Sequence, residues 1–183
     1  RLGIDALALT EATEVQKLAI PTALQGVDLL VSAETGSGKT LAYLIPLAQK
    51  ILAAPATRQP GTLAVILVPT RELARQVLKQ CRQLLVMSPL KVQAITGGAD
   101  FKYQKAQLRK DPEIVIATPG RLLDHLERGR IDATDKALLE SPLGWAGRRV
   151  LATMWFAAGS ALAAPRREAL LDAQYDLVAA KKF

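Results

Sequence analysis

Residues 33–40 read A-E-T-G-S-G-K-T and constrain this chain more than any other segment. They follow a short, mostly apolar run, Val27–Ser32, and open a helix-patterned stretch, Lys39–Ala53. Gly36 and Gly38 let the backbone turn so that successive N–H groups face inward. With the positive end of a helix beginning near Lys39, those donors make a fixed anion site. A strand must end and a helix begin at this turn, the context a phosphate-cradling loop requires. The implied ligand is a nucleoside triphosphate with Mg²⁺. Thr35, Gly36, Ser37, Gly38, Lys39 and Thr40 are its candidate contacts. Lys39 is placed to reach the β- and γ-phosphates, and the Thr40 hydroxyl to meet the metal. The first position of the general pattern is usually Gly and here is Ala33. The competing reading, a chance glycine-rich turn, does not account for the strand before it and the helix after it.

The pattern around the loop is α/β. Thr62–Val68 reads T-L-A-V-I-L-V and is closed by Pro69; Lys91–Ile95 and Glu113–Ala117 are further strand candidates, each followed by Gly or Pro signals. Between them, Lys39–Ala53, Arg71–Val86, Phe101–Lys110 and Arg121–Glu127 read as helices. Arg71–Val86 carries Leu73, Val77, Leu78, Leu84 and Leu85 at helical spacing. Continuous apolar strands alternating with helices predict a parallel sheet covered on both faces. Residues 54–61, A-P-A-T-R-Q-P-G, read as a loop, and there is no internal repeat.

Half of the 183 residues are hydrophobic and 22% are charged, the balance of a globular domain. The net charge is +7, and residues 58–130 hold 13 of the 24 basic groups against 6 of the 17 acidic ones. A basic middle favours a polyanion such as nucleic acid, or is simply a solvated surface. The single cysteine, Cys81, excludes an intrachain disulfide, and no secretory segment stands at the N-terminus, so a cytoplasmic location is expected. The uncharged stretch Val150–Ala164 has 15 residues, short of the roughly 17–25 a membrane span needs. It reads as a buried helix or as a strand with a turn. Arg166–Ala180 reads as an amphipathic helix packing on the core.

Several segments resemble the motifs of DEAD-box ATP-dependent RNA helicases. Ala33–Thr40 looks like helicase motif I. Thr13-Glu14-Val15-Gln16, with Gln16 20 residues before Gly36, resembles the Q motif. Pro69-Thr70-Arg71-Glu72-Leu73-Ala74 is similar to motif Ia, Gly97-Gly98 to the family's glycine doublet, and Thr118-Pro119-Gly120-Arg121 to motif Ib. The resemblance covers about residues 1–131 and implies a RecA-like P-loop domain, a parallel sheet with helices on both faces, incomplete at its C-terminal end. It gives Gln16 the role of pairing with adenine, which its carbonyl and NH₂ can do. The family usually has Pro where Ala12 stands and an aromatic near Leu9. The alternative for Gln16 is a surface helix glutamine.

Pro69, Thr70, Arg71, Glu72, Gly97, Gly98, Thr118, Pro119, Gly120 and Arg121 each fall just after a predicted strand. In a parallel sheet these ends share one edge, where ligands bind. Backbone N–H groups, Thr hydroxyls and Arg there suit sugar-phosphate contacts that hold a strand without reading its bases. The resemblance makes that strand single-stranded RNA, bound irrespective of sequence. The alternatives are that Thr70 and Thr118 cap helices and that Arg71 and Arg121 form surface ion pairs. His125 has no Cys or second His nearby, which argues against a metal role.

The family's next element is a strand ending in D-E-A-D, yet this chain has no two adjacent acidic residues. Asp132 and Asp135 follow no apolar strand, and the run Arg149–Phe156 has no acid at its end. The S-A-T motif and the second domain, which in the family supplies arginine fingers, are not recognisable. Residues 132–183 are expected to form a divergent, helical tail. Three readings follow: an RNA-dependent ATPase and helicase, a catalytically inactive nucleotide- and RNA-binding fragment, or a non-helicase P-loop ATPase or kinase. The P-T-R-E-L-A and T-P-G-R segments argue against the last.

Overall fold

The computed structural model describes residues 3–4, 7, 10–26, 29, 31–54, 61–127 and 150–153. The helices are α1 (Glu14–Leu24), α2 (Lys39–Ala53), α3 (Arg71–Leu85), α4 (Phe101–Leu108) and α5 (Pro119–Glu127). The strands are β1 (Ala64–Leu67), β2 (Val92–Ile95), β3 (Ile114–Ala117) and β4 (Val150–Thr153). They form one parallel sheet in the order β2-β3-β1-β4. Ala64 pairs with Ile114 on one side and Val150 on the other. The crossover from β1 through α3 to β2 therefore skips a position, which β3 then fills.

Alternation along the strands sorts their side chains to two faces, as the period of a strand requires. Ala64, Ile66, Ile114 and Ile116 join α2 and α3 in the larger cluster, around Leu44, Leu47, Val77 and Leu84. Val65, Val115, Ile95 and Ala117 join Leu122 of α5 and Leu108 of α4 in the smaller one. Both faces are covered, which is why the strands read as unbroken apolar runs rather than alternating ones.

Two expectations change. The run Val27–Ser32 is not a strand at its described positions: Leu29, Val31 and Ser32 pair with nothing, and Leu29 and Val31 are exposed. Apolar composition proposes a strand, but a ladder partner makes one, and among the described residues no strand lies beyond β4. Within the tail expected to be helical, Val150–Thr153 is a strand beside β1. That agrees with the strand half of the reading for Val150–Ala164. The rest of that stretch, most of loop 54–61, residues 131–135 and the helix expected at Arg166–Ala180 lie outside the described residues. Helix α1, which the pattern left unassigned, precedes the glycine-rich loop.

No described helix is long and apolar enough to cross a membrane. Cys81 of α3 is 1% exposed, and burial pushes its thiol up to about 12, against the lowering effect of Arg82. The fold therefore holds the neutral thiol. Its contribution to stability is complete below the unfolded thiol's value, about 8.5. It is lost as pH rises through about 12. Because the thiolate is the nucleophile, iodoacetamide at about pH 8 should leave Cys81 unmodified in the native chain and alkylate it promptly in urea. Equal rates in both states would contradict this.

Candidate functional site

The glycine-rich loop turns through two residues that need positive φ, Gly36 at 85° and Gly38 at 88°. Gly38 is the N-cap of α2, and its carbonyl accepts the first helical bonds, from Leu41 and Ala42. A Cβ at Gly38 would stand 2.5 Å from Gln16 Nε2 and 3.0 Å from Thr13 Oγ1, so the loop's shape and the approach of α1 both require glycine there. At Gly36 a Cβ would meet nothing within 4 Å. Ser37 Oγ is buried and has no hydrogen-bond partner among the described residues. Lys39 Nζ donates to the carbonyls of Ala33 and Glu34, across the mouth of the turn. An open side at Gly36, an unsatisfied hydroxyl and an ammonium at a helix N-terminus fit a phosphate group.

Helix α1 braces this loop. Thr13 Oγ1 donates to Ser37 O at 2.7 Å, and Gln16 Nε2 donates to Gly38 O at 3.2 Å. Gln16 Oε1 accepts from the Thr13 backbone N–H at 3.1 Å. Gln16 is only 5% exposed and is not the surface glutamine its polarity would allow. One amide N–H and one carbonyl lone pair stay uncommitted, enough for the two-sided edge of a base. Thr40 sits one residue into α2, and Tyr43, one turn on, has its phenol pushed up by burial.

The second group of candidate residues does converge. A cleft of about 670 Å³ is lined by Pro69, Thr70, Arg71, Glu72, Gly97, Thr118, Gly120, Arg121 and Asp124. These residues follow the C-terminal ends of β1, β2 and β3, the edge at which open parallel sheets take ligands. Gly98 adjoins the cleft with φ 78°. The glycine doublet has a second reason: the Arg71 guanidinium lies on it. A Cβ at Gly97 would approach Arg71 Nη2 to 3.1 Å, and one at Gly98 would approach Nη1 to 2.3 Å. Side chains there would push the arginine aside. Arg71 is exposed and forms no ion pair among the described residues. Thr70 caps α3, accepting from Leu73 N at 3.2 Å, so the capping alternative holds for it. Thr118 caps α5 through its carbonyl, which accepts from Arg121 and Leu122. Among the described residues no group of three His, Cys, Asp or Glu side chains could hold a metal.

Sequence reasoning missed two residues here, Gln104 and Phe101, and left His125 without a part. Gln104 and His125 are 2% and 0% exposed, and both contact Arg121 or its neighbours. A glutamine on a short polar helix carries no sign that it is buried.

The model of the family described as DEAD/DEAH box helicase matches residues 13–139, more than half of the chain. This chain belongs to that family. Among the DEAD-box relatives it resembles, an ATP-dependent RNA helicase DRS1 of Candida albicans is 45% identical over 125 residues, 68% of this chain and 20% of the relative. An ATP-dependent RNA helicase HAS1 of Chaetomium globosum is 41% identical over 128 residues, 70% of this chain and 22% of the relative. The chain thus spans about a fifth of these relatives. Among solved structures, the yeast DEAD-box splicing factor Prp28 superposes with a TM-score of 0.71 at 26% identity, covering 92% of this chain and 44% of that one. A hypothetical ATP-dependent RNA helicase from Sulfolobus tokodaii gives 0.68 at 29% identity, covering 93% and 52%. The architecture is RecA-like, as the motifs implied.

Proposed function

We propose that this DEAD-box chain binds ATP with Mg²⁺ at Ala33–Thr40 and single-stranded RNA at the strand-end cleft, as the first RecA-like half of an ATP-dependent RNA helicase. The observation that carries the proposal is the convergence on one sheet edge of the loops after β1, β2 and β3. They bring Thr70, Arg71, Gly97, Thr118, Gly120 and Arg121 around one cleft. Hydroxyls, glycine backbone and a cation suit a sugar-phosphate chain, and among the described residues no aromatic or amide side chain lines the cleft to read bases.

On the nucleotide side, the loop N–H groups and Lys39 take the phosphates, and the spare edge of the Gln16 amide takes adenine. Lys39 exchanges the Ala33 and Glu34 carbonyls for phosphate oxygens. Mg²⁺, held by the Thr40 hydroxyl, would neutralise charge between the phosphates. The tie from Gln16 and Thr13 to the loop carbonyls makes base recognition and loop shape one device. A second reading, binding without turnover, is favoured by the absence of an acid at the end of β4.

Fluorescence anisotropy with a labelled uridine oligomer tests the RNA half. Binding should be weak, indifferent to sequence and salt-sensitive, with a slope near −0.7 per phosphate neutralised. Arg71→Ala should weaken it and flatten the slope by about that amount. Affinity that does not change with salt would remove the cleft from consideration as the RNA surface.

A further inference from the structure

The guanidinium of Arg121 is turned almost wholly toward its own chain. Its Nε donates to Gln104 Oε1 at 2.8 Å, its Nη2 donates to the Ala99 carbonyl at 2.8 Å, and its Nη1 lies 3.7 Å from Asp124 Oδ2. Its flat face covers the Phe101 ring at 4.6 Å. The side chain is 15% exposed. Arg71, across the cleft, is exposed and has no ion pair among the described residues.

Beneath Arg121 lies a layer in which Gln104 and His125 are buried and Phe101 is half-buried. Phe101 and His125 stack with centroids 4.1 Å apart and planes 9° from parallel. Gln104 Oε1, which accepts from Arg121, also stands 3.1 Å from His125 Nε2. A carbonyl oxygen has two lone pairs, so it serves both partners when the imidazole carries its proton on Nε2. The other end of the same amide, Nε2, donates to the Thr96 carbonyl at 2.8 Å. The Thr96 and Ala99 carbonyls bracket Gly97-Gly98, and the network ties down both. Gly97 and Gly98 themselves make no backbone hydrogen bond among the described residues.

We propose that Arg121 is a positioning residue rather than a phosphate ligand. With Gln104, His125 and Phe101 it fixes the Gly97-Gly98 turn in the shape RNA meets, while Arg71 supplies the charge. The inference rests on the RNA reading of the cleft. Its physical basis is preorganisation. Two glycines free to reorient would each lose backbone entropy on gripping a ligand, and a braced turn has already lost it on folding.

The test is anisotropy of a uridine oligomer across a salt series, using the full chain and its Arg71→Ala, Arg121→Ala, Arg121→Lys and Gln104→Ala variants. Arg121→Ala and Gln104→Ala should each weaken binding on the order of tenfold, by loosening the turn, with the salt slope unchanged. Together they should weaken it no further than either alone. Arg121→Lys should not rescue, since an ammonium cannot reach Gln104 and Ala99 together while lying flat on Phe101. If Arg121→Ala flattens the slope as Arg71→Ala does, or Arg121→Lys binds as well as the parent, Arg121 is a phosphate ligand and the proposal is overturned. If Arg71→Ala changes neither affinity nor slope, it is the RNA reading that fails. Backbone amide order parameters without RNA give a second measure: those of Gly97 and Gly98 should fall in Arg121→Lys and Gln104→Ala, and unchanged values would also overturn the brace.

Discussion

Replacing Lys39 by Ala should weaken ADP binding on the order of 10- to 100-fold, the loss expected for a charge-assisted contact to phosphate. The ammonium stands at the start of α2, where the helix adds its own positive end, and Lys39 is the basic residue of the segment Ala33–Thr40. The substitution also removes a tie, because Lys39 bonds the Ala33 and Glu34 carbonyls. Loop distortion could therefore mimic lost phosphate contact, and the two are separable. The Glu34 carbonyl is exposed and the Ala33 carbonyl only part-buried, so both recover bonds to water; distortion alone should cost little, and the melting temperature should barely move. The lost phosphate contact, by contrast, should appear more strongly with ATP than with adenosine, which has no phosphate to lose. Calorimetry on folded proteins decides. Equal ADP affinity for the parent and Lys39→Ala would remove the loop as the nucleotide site.

How much of this was legible in sequence depended on whether a residue's role was local. Thr62–Val68 and Glu113–Ala117 announced β1 and β3 because both faces of those strands are buried, so every position is apolar. The helix α3 was legible from one apolar stripe ending in Leu84 and Leu85. The loop at Ala33–Thr40 was legible because its glycines answer a local demand for positive φ. Helix α1 was not: it contains Pro21, and it exposes Leu18 at 74%, so its apolar pattern is weak. The Val27–Ser32 strand misled because four apolar neighbours say nothing about a ladder partner. Gln104 was invisible for a related reason. Its burial comes from α5 and the turn after β2, which are distant in sequence, and a polar residue at a helical position defaults to solvent. Arg121 was expected to offer its guanidinium to a sugar-phosphate chain at the sheet edge, and sequence could not show that its donors point inward.

Turnover of ATP by this chain should stay at the level of its Lys39→Ala variant, even at saturating RNA. Strand β4 is the element that would carry a catalytic acid. It lies parallel to β1 with Thr153 beside Leu67, so its C-terminal end reaches the sheet edge that bears the candidate sites. A carboxylate delivered there could hold metal or orient water. The residues that follow Val150–Thr153 are Met154 and Trp155, and the chain has no adjacent acidic pair anywhere. A substitute would have to come from another element. Glu34 lies inside the glycine-rich loop, where its carbonyl is already engaged by Lys39, and its side chain is exposed with no resolved partner in the site. Glu72 and Asp124 belong to the cleft, not to the phosphate loop. A positioned general base contributes roughly 10²–10⁴-fold, and phosphoryl transfer relies on positioned charge for nearly all of its acceleration. Without one, bound ATP should sit in the cradle unreacted. The measurement is phosphate release at saturating RNA by the parent and by Lys39→Ala. RNA-stimulated release that Lys39→Ala abolishes would mean that a carboxylate reaches the phosphates from another part of the chain, and the reading of β4 as a strand without a catalytic end would be wrong.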